Sequence, residues 1–158
     1  MKLKTLIYSL SIALLYIGMQ SCQMVKKCPD CFTPPEPLVL RLVDSVSGND
    51  LIYSDIYKSD SIKLYYLENG VRKDLDASTH KDIDRQRVII YSGYVGWKSA
   101  TGFKDFYLYL NYKTTIQIYV DDAETHDDCC TYFLRKAVKA NQKNISLDRS
   151  EYLYVIKL

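Results

Sequence analysis

The sequence predicts an all-β fold, an antiparallel β-sandwich of seven or eight short strands. Three observations carry this. Apolar and polar residues alternate with period two in several short runs, as half-buried strands require. Clusters of Gly, Asn, Asp and Ser punctuate those runs as turns. No stretch sustains the 3.6-residue period of a long helix. Many short strands with turn signals between them argue for two packed sheets.

The elements follow in order. LVLRLV (38–43) and SIKLYYL (61–67) open the series, separated by the turn Ser47-Gly48-Asn49-Asp50. Asn69-Gly70 is a hairpin signal, because both positions tolerate positive φ, and it joins the second strand to VRKDL (71–75). RVIIYS (87–92) comes next, followed by YVGWKSATGF, a Gly-bounded loop carrying Trp97. In DFYLYLNY (105–112), Phe106, Leu108 and Leu110 point one way while Tyr107 and Tyr109 point the other. TTIQIYVDD places Ile116, Ile118 and Val120 on one face, with Gln117 and Tyr119 opposite. TYFLRKAV (131–138) and EYLYVIKL (151–158) complete the set, with a turn at Asn141–Asn144. Residues 38–158, about 120 in all, suffice for one domain with its own core. LVDSVSGNDL (42–51) resembles the first strand and turn of transthyretin-like or carboxypeptidase-regulatory-like sandwiches, and an Ig-like or transthyretin-like arrangement is expected.

Residues 1–21 read as a signal peptide. A basic start, Met1-Lys2-Leu3-Lys4, precedes an uncharged apolar run (5–19) shorter than the roughly 20 residues of a membrane span. Ser21 supplies the small residue at the cut and Cys22 follows it. This junction resembles the lipobox of bacterial lipoproteins, in the relaxed form common in Bacteroidetes. The resemblance implies acyl chains on Cys22, a membrane anchor and a place in the cell envelope. Residues 22–37, with prolines at 34, 35 and 37, form an extended tether. Gln23, Met24, Val25, Lys26 and Lys27 stand where surface-exported relatives of this type carry acids, which favours the periplasmic face over the cell surface. Two of the 21 basic side chains, Lys2 and Lys4, fall in the signal peptide, which holds no acid, so 19 of each sign remain. That neutral balance provides no broad attraction for nucleic acid.

Four further cysteines, Cys28, Cys31, Cys129 and Cys130, make an even set in an oxidising compartment, and disulfides are expected. A Cys129–Cys130 bond would be strained, because adjacent Cα atoms lie about 3.8 Å apart. Both other pairings join the tether to the 129–130 segment. Two rival readings exist for these residues. CPDC has the form of a thioredoxin-like redox site, but lacks the strand-to-helix context that motif needs. A Cys₄ zinc site would use two spaced pairs, and Cys129-Cys130 has no spacer.

DDAETHDDCC (121–130) reads as a solvated acidic loop held by its cysteines; Asp121, His126 and Asp128 are the candidate metal ligands within it. Tyr107, Tyr109, Tyr119 and Trp97 are candidate binding residues, since tyrosine supplies rigid amphipathic area. No nucleophile elbow, P-loop, zinc-helix or dinucleotide-binding motif occurs, and no cofactor is implied. The cysteine pair ahead of a hairpin and the apolar final strand resemble small Bacteroidetes envelope lipoproteins, a likeness that implies no activity. The expected protein is therefore non-enzymatic and anchored to the membrane through acyl chains on Cys22. It would bind an envelope protein or glycan, or serve a structural role, with no nucleic acid. The alternatives are a small envelope enzyme or metal-dependent module centred on residues 121–130, and a structural assembly subunit.

Overall fold

Outward tyrosines alternating with buried aliphatics build the body strand by strand. The computed structural model describes residues 31–126 and 130–158. Residues 1–21, expected to be a signal peptide, and Cys22, Cys28, Asp128 and Cys129 lie outside the described residues. Among the described residues there are twelve strands: β1 (Cys31–Thr33), β2 (Leu38–Val43), β3 (Lys63–Glu68), β4 (Val71–Leu75), β5 (Ser78–Asp82), β6 (Arg87–Ser92), β7 (Asp105–Asn111), β8 (Thr114–His126), β9 (Cys130–Ala140), β10 (Lys143–Asn144), β11 (Leu147–Asp148) and β12 (Leu153–Lys157). One short helix, α1 (Tyr94–Ala100), joins β6 to β7.

The fold is all-β, as expected. Seven strands form one sheet in the order β1-β9-β8-β7-β3-β4, with β10 beside β9; five form the other, β11-β12-β2-β6-β5. The count exceeds the expected seven or eight because β1, β10 and β11 span only two or three residues, too few to show a period. β5 (STHKD) was also not anticipated: its residues are mostly exposed and polar, so no alternation marks it. A second departure is the pairing of β12 with β2, which is parallel. The final strand can lie beside β2 in either direction as far as its own pattern is concerned, and its connection through the β10–β11 segment decides.

The Asn69-Gly70 hairpin forms as its residues require, with Glu68 opposite Val71 and both turn residues at positive φ. Both sheets contribute to one core. Leu38, Leu40 and Leu42 of β2, Val88 and Ile90 of β6, and Ile156 of β12 meet Leu64, Phe106, Leu108, Leu110, Ile116, Ile118 and Val120 from the larger sheet. Asp50 is a buried polar junction beneath the first turn. Its carboxylate accepts from the backbone N–H of Ile52, Tyr53 and Val88 and from Arg41 Nε, so no buried charge is left unpartnered.

Trp97 lies on α1, not in a loop. The helix has poor intrinsic credentials, with Gly96 at its centre and no side-chain N-cap. Tertiary contacts hold it instead: the Ser99 hydroxyl donates to Val120 O at 2.9 Å and accepts from the Asp122 N–H at 2.8 Å, and Val95 is fully buried. Such contacts leave no local mark in the sequence.

The acidic stretch is likewise mostly strand. Asp121 to His126 continue β8 and pair with β9, down to His126 opposite Thr131. Two long strands thus replace the expected loop, their ladder continuing past the core because the arms pair with each other.

The segment ahead of β2 is fastened to the body at several points. Cys31 and Cys130 lie at disulfide distance. Pro35 is buried against Gly96, where an added Cβ would meet Glu36 O at 2.6 Å and Pro35 Cβ at 2.8 Å. The Arg135 guanidinium donates to Pro37 O at 2.8 Å and to Glu36 O, while also gripping Asp122.

Candidate binding surface

The outward residues of the larger sheet form a tyrosine-bearing face. Because Phe106, Leu108 and Leu110 are buried, Tyr107 and Tyr109 must face outward, and the same alternation on β8 turns Gln117 and Tyr119 to that side. Pairing then brings in a partner from further away. Tyr65 on β3 lies directly opposite Tyr107, and their rings stack at 5.1 Å with planes 17° apart. The Arg72 guanidinium sits 4.1 Å from the centre of the Tyr65 ring, held in place by a 2.6 Å bond from its Nε to Asp74.

Toward β9 the face becomes more polar. Tyr119 lies between Asp105 and Lys139 in register, and Lys139 Nζ stands 5.3 Å from its ring centre. Gln117 Nε2 donates to Asp105 Oδ1 at 2.9 Å. Asp105, Gln117, Tyr119, Lys139 and Gln142 line a shallow depression of about 430 Å³. Rigid aromatic faces beside fixed amide, carboxylate and ammonium groups are what a polar, partly apolar ligand needs: ring faces for its C–H surfaces and hydrogen-bonding groups at the margin.

Tyr107, Tyr109 and Tyr119 are thus brought to one face, with Tyr109 opposite Lys63 and Thr115. Tyr65, Arg72, Asp105 and Lys139 complete the surface. Sequence reasoning did not single out Tyr65: it alternates with buried Leu64 and Tyr66 on β3, and its meeting with Tyr107 depends on β3 pairing with β7 across some forty residues. Trp97 does not join the tyrosines. Its ring stacks on Phe32 at 5.8 Å and meets Phe133 edge-on at the same distance.

Among the described residues the acidic side chains of this stretch do not converge. Asp121 and His126 are five positions apart on one strand, which separates them by about 16 Å and turns them to opposite faces. Asp121 pairs with Lys104 Nζ at 2.7 Å, buried Asp122 pairs with Arg135, and Glu124 pairs with His126 at 3.2 Å. No group of three potential ligands suited to a metal ion occurs among the described residues. The candidate set Asp121, His126 and Asp128 therefore lacks two members that can meet, and Asp128 is outside the described residues. The chain matches no protein-family model, no curated protein and no solved structure.

Proposed function

We propose that the chain is a non-enzymatic lipoprotein of a bacterial envelope, a β-sandwich anchored through acyl chains on Cys22 that binds a protein or glycan partner on its tyrosine-bearing face. One observation supports the binding role above the others: Tyr65, Tyr107, Tyr109 and Tyr119 share one outward sheet face, with Arg72 and Lys139 against two of the rings. Rigid aromatics give contact area at small entropic cost and recur as the energetic centres of binding surfaces. The neutral charge balance after residue 21 directs the search away from nucleic acid. The basic, acid-poor residues after Cys22 favour the periplasmic face.

A photo-crosslinking side chain at position 107 or 119, introduced in cells, tests the reading. A defined adduct formed from those positions and not from exposed Tyr152 supports it. Adducts of equal yield from all three, or none, would sink it. With the partner in hand, Tyr107→Ala weakens binding by roughly 30-fold if Tyr107 contributes about 2 kcal/mol at the centre of the contact.

A further inference from the structure

A second aromatic group lies apart from the tyrosines, where the N-terminal segment enters the body. Phe32 and Trp97 are 56% and 43% exposed, stack at 5.8 Å, and are braced by Phe133 at 6.1 Å and 5.8 Å. Neither Phe32 nor Trp97 belongs to the hydrophobic core. The domain therefore holds a rigid, half-wet aromatic surface that its own folding does not use.

We propose that the Phe32–Trp97–Phe133 cluster seats in the headgroup layer of the membrane that carries the acyl chains of Cys22. This rests on the anchored reading above and adds to it an orientation of the domain. The length of chain decides the occupant. Ten residue steps separate Cys22 from Phe32, so the leash reaches at most about 33–36 Å. The cluster cannot leave the vicinity of the bilayer, and its effective concentration there is high. Lys26 and Lys27 lie within that leash and are drawn to anionic headgroups. Trp and Phe suit the interface, where one part of the ring is apolar and the surroundings are wet.

Depth follows from the neighbours. Glu124 is the cross-strand partner of Phe133 and pairs with His126 at 3.2 Å, and both are exposed. These polar groups stop the cluster at headgroup level. Seated there, the domain lies close against the membrane rather than swinging at the end of a stalk.

The chain's single tryptophan is Trp97, so its fluorescence reports this surface alone. The measurement uses the full mature protein in phosphatidylethanolamine–phosphatidylglycerol vesicles, with brominated lipid as one quencher and aqueous iodide as the other. Quenching by brominated lipid, a shift of emission to shorter wavelength and reduced iodide access are expected. Phe32→Ser diminishes all three while leaving the melting temperature nearly unchanged. Full iodide access with no lipid quenching overturns the proposal, and protection of Trp97 only in intact envelopes would assign the surface to a protein partner instead. The mass of the N-terminal peptide is read on the same sample. If Cys22 is unmodified, the anchor fails on that result, and lipid quenching of the unmodified protein added to the same vesicles still upholds or overturns the membrane surface.

Discussion

Replacing Arg135 by Leu removes the group that joins the N-terminal segment to the β8–β9 strands. The Arg135 side chain is 4% exposed and its Asp122 partner 1%. Nε and Nη2 hold the two Asp122 oxygens at 2.9 Å and 3.1 Å, and the guanidinium also serves Pro37 O and Glu36 O. In the variant Asp122 keeps its burial and loses the guanidinium, its partner at both carboxylate oxygens. Breaking a buried pair in this way costs about 3–5 kcal/mol. Glu36 is exposed, so water replaces the arginine at its carbonyl and adds little. For a unit of this size the loss lowers Tm by roughly 10–20 °C.

Urea denaturation near neutral pH measures it, and one control makes the reasoning refutable. Asp122→Leu combined with Arg135→Leu removes both charges and regains most of the loss, because apolar replacement of a buried pair is often neutral. A single-variant loss below about 1 kcal/mol, or a double variant no more stable than the single, would refute this account of the pair.

Three other outcomes follow from the same structure. Gly96→Ala is expected to destabilise by about 1–3 kcal/mol, although alanine in a helix interior normally gains about 1, because the new methyl meets the backbone of Pro35 and Glu36; denaturant midpoints give the sign. Asp44, Asp82 and Asp148 are held below the ordinary carboxylate value of 3.8, first by the Ser47 N–H, the Arg85 N–H and the Ser150 hydroxyl respectively. Depressed folded values mean that their stabilisation is present above the unfolded value and is lost as pH falls through the folded ones. The denaturation midpoint therefore drops below about pH 4, and the triple Asp→Asn variant shows a flatter acid limb. Finally, with Cys31 bonded to Cys130, peptide mapping without reductant is expected to join Cys28 to Cys129, leaving no alkylatable thiol on either segment; a free thiol at either position contradicts this second bond.

Period-two alternation determined by itself which residues of β7 and β8 face inward, because burial on one side of a strand imposes that period whatever lies opposite. Asn69 and Gly70 determined their hairpin, since few residues accept two consecutive positive φ values. Tertiary structure alone decided the rest. The pairing of β3 with β7 made a surface of Tyr65 and Tyr107, and the parallel placement of β12 beside β2 closed the smaller sheet. Strand pairing also carried the acidic stretch on into β8 and sent Asp121 and Asp122 to different cations. α1 formed around a glycine because Pro35, Ser99 and Val120 hold it, and Phe32 found Trp97 from 65 positions away. Local sequence records how a strand divides its faces, because that preference acts between neighbours. Which strand lies alongside is settled by closure of the whole core, and no single segment carries that information.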